Sequence, residues 1–166
     1  MKWFDRSFSF AFPVDIHPCV VERLHGLLPR VHHFVATVGA EQWTRVEGAA
    51  WSAQRNIGHL ADLDELFRQR VEDLLAGLPE LRPADLENRR TDLADHDAQP
   101  FDAVVARLAT NRSALLQRVV GLPTEAFARS ALHPRLSTPM RLVDLLYFVA
   151  EHDDHHLVRM RTLLHG

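Results

Sequence analysis

Apolar residues recur at intervals of three and four along most of the chain, which is the spacing of amphipathic helices. Four stretches of about twenty residues or more show this pattern, namely residues 18–39, 52–77, 101–120 and 138–164. Pro18, Ser52 and Thr138 are typical of helix starts, and a glycine ends each of the first three stretches. No stretch has the alternating pattern of a good β-strand. The chain is therefore predicted to be all-α.

The first helical stretch contains a proline in its interior. Pro29 lies well after the start at Pro18, where its ring and its missing N–H disturb a continuing helix. We expect a kink or a break at this position.

The connections between the four stretches indicate how the helices are arranged. Residues 79–100 are polar and lack a clear pattern, and a connection of this length is either a crossover or a functional segment. The connection between the third and fourth stretches is short enough to join antiparallel neighbours. The sequence predicts one domain over residues 1–166, a four-helix bundle in which the long connection between helices 2 and 3 permits a crossover.

Composition narrows the classes of function. The chain has 166 residues, 46% of them hydrophobic, and a net charge of −3, which gives no basic surface for nucleic acid. The single cysteine, Cys19, excludes an internal disulfide framework and a cysteine-based zinc site. No apolar run approaches the length of a membrane span, and no signal peptide is evident. We expect a cytoplasmic protein that acts on a small molecule and contacts neither nucleic acid nor membrane.

The candidate chemistry lies among the 11 histidines. His152 and His156 are four residues apart in the fourth helix, so their rings lie one turn apart on the same face and can chelate one metal ion. His59 lies on the apolar face of the second helix. A core histidine bonded to a carbonyl group is one interpretation, and a third metal ligand is the other. Three imidazoles would leave a coordination position open for water or substrate.

Several segments resemble the DinB-like superfamily. They are Trp51-Ser52 with residues 56–63 (NIGHLADL), residues 150–157 (AEHDDHHL), residues 133–136 (HPRL), residues 139–141 (PMR) and residues 3–6 (WFDR). The resemblance implies a four-helix bundle with up-down-down-up topology and a long crossover between helices 2 and 3, often assembled as a homodimer. It also implies one divalent metal ion, commonly zinc or nickel, bound by His59, His152 and His156. Characterised members include transferases and isomerases that use small thiols such as bacillithiol, mycothiol or glutathione.

One position departs from the family. Arg159 stands where related proteins often have glutamine, three residues after the last ligand. A guanidinium there can bind a substrate carboxylate, although we favour a salt bridge to Asp62 or Glu151. Asp62, three residues after His59, is a candidate either to orient that histidine or to act as a fourth ligand.

We assign surface, supporting or packing roles to the other polar residues near the motifs. Glu151 and Asp153 are interpreted as surface groups or as supports for the ligands. His155 is expected to pack at the edge of the bundle. His96 and His133 lie in connections that can fold over the mouth of the site. We favour the interpretation of both as surface histidines.

Three functions remain open. The resemblance favours a metal-dependent thiol S-transferase, in which the metal ion holds a small thiol as a thiolate. A metal-dependent hydrolase is the first alternative. The second alternative is a non-catalytic, dimeric binding or stress-response module with a structural metal ion. The aromatic residues at positions 3–12 and the resemblance together predict a homodimer.

Overall fold

The structure is a computed structural model that describes residues 2–165. It is mostly helical. The α-helices are α1 (His17–His25), α2 (Leu27–Thr37), α3 (Ala53–Leu75), α4 (Arg89–Ala94), α5 (Phe101–Val119) and α6 (Leu142–His165). Helix α3 packs against α5 and α6, and α1 packs against α6. Short 3-10 turns and one β-hairpin complete the described part of the chain.

The second and third helical stretches begin and end close to their predicted bounds. Ser52 is the N-cap of α3, as predicted, because its hydroxyl oxygen accepts a hydrogen bond of 2.9 Å from the backbone N–H of Arg55. Gly77 and Gly121 follow the ends of α3 and α5, and both adopt a positive φ.

The break in the first stretch occurs at Gly26, between α1 and α2, and not at Pro29 itself. Pro29 has no N–H to donate to the carbonyl group of His25, and its ring crowds that carbonyl. The helix therefore breaks one turn before the proline, and Pro29 falls in the first turn of α2, where its missing N–H has no cost.

The fourth helix begins later than predicted because residues 130–141 form a hairpin. Strand β1 (Ser130–His133) pairs antiparallel with β2 (Thr138–Arg141), with His133 opposite Thr138. The prediction that the helix starts at Thr138 was therefore wrong. Asp144 caps the first turn of α6, because its carboxylate accepts the backbone N–H of Arg141 at 2.8 Å and also binds the Arg141 guanidinium.

The aromatic residues near the start of the chain pack on the chain's own bundle. The ring of Phe8 lies 4.9 Å from that of Phe148, and Phe12 lies 5.1 Å from Tyr147. Arg141 donates to the carbonyl groups of Phe10 and Phe12 at 3.0 Å. These contacts leave the rings of Phe8, Phe10 and Phe12 half-buried, and the homodimer stays a prediction. Within residues 2–165, no helix is long and apolar enough to cross a bilayer.

A buried charge cluster joins three of the helices. The Arg112 guanidinium on α5 makes paired hydrogen bonds of 2.6–2.9 Å to Asp64 on α3 and Asp153 on α6. All three side chains are almost fully buried. Burial raises the pKa of both carboxyl groups, and Arg112 opposes that shift. Asp153 is therefore an interior ion-pair residue and not a surface group.

Replacing Arg112 tests how much this cluster matters. Arg112→Met leaves two buried carboxylates without a cation, so we expect the free energy of unfolding to fall by about 3–5 kcal/mol. Arg118→Met on the same helix removes only the solvent-exposed pair with Glu72 and should cost less than about 1 kcal/mol. Urea unfolding measures both. Equal losses for the two variants would contradict a special role for Arg112.

Candidate metal centre

Three buried histidines converge between α3 and α6. His59 comes from α3, His152 and His156 come from α6, and one ring nitrogen from each lies within 4.8 Å of the others. Their ring centroids are 4.5–5.3 Å apart. The structure thus brings together the three residues that the sequence singled out, at distances that one metal ion can bridge.

A chain of hydrogen bonds orients His59. Its Nδ1 donates to the hydroxyl oxygen of Thr91 at 3.0 Å, and that hydroxyl donates to Asp62 at 2.9 Å. His96 Nε2 donates to the same carboxylate oxygen at 2.8 Å, while Arg107 donates to His96 Nδ1 at 2.9 Å. Because Nδ1 of His59 carries the proton, its Nε2 lone pair is left for a metal ion.

Asp62 is therefore a residue that orients His59 through Thr91. Burial favours a raised pKa for its carboxyl group, but the hydrogen bonds from His96 and Thr91 outweigh burial and lower that pKa. The carboxylate is consequently ionised near neutral pH and is engaged on the side of His59 that faces away from the other ligands. Of the two roles that the sequence left open, the geometry supports orientation.

An amide side chain orients His156. Asn56 lies one turn before His59 on α3, and its Nδ2 donates to the backbone carbonyl group of Ser52 at 2.7 Å. That bond turns the amide oxygen toward His156 Nδ1, which donates to it at 2.6 Å. Like His59, His156 is held with Nδ1 protonated and with the Nε2 lone pair facing the other two histidines.

His152 is held by packing. Its ring meets that of Trp3 in an edge-to-face contact with centroids 4.8 Å apart, and its Nδ1 has no hydrogen-bond partner among the described residues. His152 Nε2 lies 3.2 Å from His156 Nε2. Two nitrogens that bind one zinc ion at about 2.1 Å with an angle of about 100° are separated by about this distance.

Burial keeps the three imidazoles neutral. It lowers the pKa of His59 to about 4 and lowers the pKa of His152 and of His156 well below the usual 6.5. Neutral rings have the lone pair that coordinates a metal ion, and repulsion from the protonated forms of neighbouring histidines adds to the lowering of the pKa of His152 and of His156. The donor set and its spacing fit a divalent ion such as zinc or nickel.

His96 and His133 are buried, so their interpretation as surface histidines was wrong. His96 has space because Gly58, in the middle of α3, lacks a side chain: a Cβ at Gly58 would lie 2.3 Å from the His96 ring. His133 ends β1, where its Nε2 lies 3.2 Å from the Arg70 guanidinium. Gly58, a glycine inside a helix, was the sequence signal for the close approach of His96 to α3.

The expected salt bridge of Arg159 is also absent from the described residues. Asp62 is engaged by His96 and Thr91, and Glu151 binds Arg6 and Arg23. Arg159 is exposed and lines a cavity next to the histidines. It remains a candidate for binding a substrate.

A cavity of about 380 Å³ opens beside the three histidines. Its walls include the aromatic and aliphatic side chains of Trp3, Trp51, Leu63, Phe67 and Phe148. Its volume is in the range of small-molecule sites. His155 also lines it, and the Nε2 atom of this ring is buried and has no hydrogen-bond partner among the described residues.

The comparison with known families agrees with this geometry. The sequence model of the DinB superfamily matches residues 23–159. The chain belongs to the DinB superfamily. Among curated proteins, a search for relatives of this DinB-superfamily chain finds no match.

A solved structure shares the fold of this DinB-superfamily protein. The description of this structure reads "YfiT from Bacillus subtilis is a probable metal-dependent hydrolase with an unusual four-helix bundle topology". The TM-score is 0.81 with 18% sequence identity, and the match covers 95% of this chain and 91% of the other. At this identity the likeness shows the fold alone, and it confirms the predicted four-helix bundle.

A substitution at Gly58 tests the chain of hydrogen bonds to His59 while keeping all three candidate ligands. In Gly58→Ala the new Cβ displaces the His96 ring, which loosens Asp62, Thr91 and His59 in turn. We expect zinc affinity to fall about 10- to 100-fold, measured by competition with a chelator. In a His96→Ala background the same substitution should have little further effect, because the clash is gone. An equal loss of zinc affinity in both backgrounds would contradict the proposed chain of hydrogen bonds.

His133 provides a pH test away from the ligands. Burial, followed by the charges of Arg70 and Arg135, lowers its pKa to about 4. The unfolded chain therefore binds about one more proton at this residue between pH 4 and 6.5, and stability falls as the pH falls through this window. Urea unfolding with a chelator present should show a shallower pH dependence for His133→Gln. Identical slopes for variant and wild type would contradict this assignment.

Proposed function

We propose that His59, His152 and His156 bind one divalent metal ion and that the protein is a metal-dependent enzyme acting on a small molecule. The observation that carries the proposal is the convergence of three neutral, buried imidazoles beside a cavity of about 380 Å³. Hydrogen bonds to Thr91 and Asn56 aim two of these rings at a common point. Zinc and nickel are the proposed ions.

The geometry favours a catalytic metal ion over a structural one. Structural zinc sites are closed by four protein ligands, and catalytic sites keep a position open. The described residues provide a cluster of three such ligands, and all three line the cavity. A small molecule in the cavity therefore has direct access to them. This arrangement supports an enzyme over the non-catalytic binding module.

Thiol S-transfer is the first candidate reaction. A divalent ion held by three imidazoles is a Lewis acid, and it lowers the pKa of a thiol or a water molecule that binds to it. Trp3, Phe67 and Phe148 supply apolar walls that keep water from a thiolate. The cavity lining within residues 2–165 contains one carboxylate, Asp85, which accepts backbone N–H groups of Glu87 and Arg90. A reaction that needs no carboxylate base suits this lining.

Metal-dependent hydrolysis is the second candidate. The solved structure from Bacillus subtilis, which has the same fold, is described as a probable metal-dependent hydrolase. His155 offers a buried nitrogen that has no partner in the described part of the chain and lies on the cavity wall, where a water molecule has room to bind.

We also propose the homodimer and the up-down-down-up arrangement of the helices. The 25-residue segment from the end of α3 to the start of α5 (residues 76–100) is long enough for the crossover.

The metal content of ligand variants tests the site. We expect about one divalent ion per chain in wild-type protein, since the described residues offer one three-histidine cluster. His59→Ala, His152→Ala and His156→Ala should each lose most of it, because two ligands hold the ion far more weakly. His155→Ala, adjacent in sequence, is the matched control and should retain it. Inductively coupled plasma mass spectrometry measures the content, and full occupancy in His152→Ala would contradict the assignment.

Cobalt-substituted protein tests the reaction. A thiol that binds the ion adds a sulfur–cobalt charge-transfer band, so the visible spectrum should change with bacillithiol, mycothiol, glutathione or coenzyme A. The same thiol should react with a chromogenic electrophile in wild-type protein and not in His156→Ala. If no thiol changes the spectrum while an ester or amide substrate is hydrolysed, the hydrolase candidate replaces the transferase.

A further inference from the structure

A second group of residues on the cavity wall is positively charged. Arg70 on α3 and Arg135 in the β1–β2 turn both line the cavity, and His133, the last residue of β1, contacts Arg70. Neither arginine forms an ion pair among residues 2–165. Arg112 and Arg82, by contrast, each bind a carboxylate. Two arginines beside one cavity without an acidic partner are unusual, because a buried charge is normally paired.

Arg70 is a buried cation whose hydrogen-bond partners among residues 2–165 are all neutral. Its Nε and one terminal nitrogen donate to the carbonyl group of Arg82 at 2.9–3.0 Å, and the other terminal nitrogen lies 3.2 Å from His133 Nε2. Burial lowers its pKa to about 10, so it is still charged at neutral pH. The nearby carboxylate of Asp73 is already engaged by Arg82.

Arg135 has an unsatisfied donor. One terminal nitrogen of its guanidinium is buried and has no hydrogen-bond partner within residues 2–165. The guanidinium lies over the rings of Phe4 and Phe148, at 5.3 and 5.8 Å from their centroids. These contacts fix the planar group beside the cavity while leaving N–H donors for a ligand.

Aromatic rings connect this cationic side to the histidines. Phe148 lies 5.5 Å from His133 and 5.0 Å from Trp3, and Trp3 lies 4.8 Å from His152. The cavity thus has a metal-ligand side, an apolar middle and a cationic side. A molecule that fills the cavity therefore needs a group that binds the metal ligands' side at one end, an apolar part in the middle and an anionic group at the other end.

We propose that Arg70 and Arg135 form an anion subsite that binds the carboxylate of the substrate, whose apolar part lies on Phe148 and Trp3. The reactive end of such an amphiphilic acid reaches His59, His152 and His156, and this last step rests on the proposed function. The planar guanidinium groups favour a carboxylate, which they bind through paired hydrogen bonds. Arg159, which is exposed at the cavity, provides a weaker and solvated positive charge.

Calorimetric titration of chelator-treated protein with 4-phenylbutyrate and 4-phenylbutanol tests the subsite without the metal ion. The two probes differ only in the charged group. We expect the carboxylate to bind at least about tenfold more tightly than the alcohol. Arg135→Gln should remove this preference, and Arg135→Lys should retain part of it. Arg68→Gln, on α3 but outside the cavity lining, is the matched control and should behave as wild type.

The outcomes of this titration are distinct. Absence of a preference in wild-type protein, or a preference that survives in Arg135→Gln, would overturn the subsite. If 4-phenylbutyl phosphate binds more than about tenfold more tightly than 4-phenylbutyrate, the subsite recognises phosphate and the carboxylate assignment is wrong.

A second titration separates the subsite from the proposed function. Cobalt-substituted protein is titrated with 6-mercaptohexanoate and 6-mercaptohexanol. We expect both thiols to change the spectrum, with the acid effective at about tenfold lower concentration in wild type and at equal concentration in Arg135→Gln. If neither thiol changes the spectrum while 4-phenylbutyrate keeps its Arg135-dependent preference, the subsite holds and the thiol reaction fails. Equal effects of both thiols in wild type would overturn the subsite alone.

Discussion

The ion-pair cluster of Asp64, Arg112 and Asp153 constrains how the helices that carry the histidines face one another. Asp64 lies five residues after His59 on α3, and Asp153 directly follows His152 on α6. One guanidinium holds both carboxylates in the interior, so neither helix can rotate or slide without separating a buried charge from its partner. The same contact that joins α3, α5 and α6 therefore sets the register in which His59 meets His152 and His156.

The connection between α3 and α5 completes the site from outside the bundle. It carries Thr91, which accepts the hydrogen bond from His59 and donates to Asp62, and it carries His96, which donates to the same Asp62 carboxylate. Gln54 on α3 fixes this connection by donating to the backbone carbonyl groups of His96 and Gln99 at 2.6 and 2.8 Å. The long polar segment that the sequence marked as a crossover or a functional segment thus provides residues that support the candidate ligands.

Periodicity and spacing were sufficient for the parts of the molecule that depend on local rules. The apolar repeats predicted the helices, Ser52 predicted the start of α3, and the four-residue spacing placed His152 and His156 on one face. Local patterns could not show that His96 and His133 are buried, because their burial depends on Gly58 and Arg70, which lie far away along the chain. For the same reason Asp153 was read as a surface or supporting residue, since its partner Arg112 lies 41 residues earlier.

The central claim is that α3 and α6 together hold one metal ion through three imidazoles and leave a position open toward the cavity. X-ray absorption spectroscopy of the zinc-loaded protein tests it most directly, because imidazole rings give a characteristic multiple-scattering pattern. The account predicts three imidazole nitrogens at about 2.0–2.1 Å and one further light atom from solvent. On addition of a bound thiol, a sulfur at about 2.3 Å should replace that atom. A spectrum with four protein ligands, or one without three imidazoles, would contradict the account.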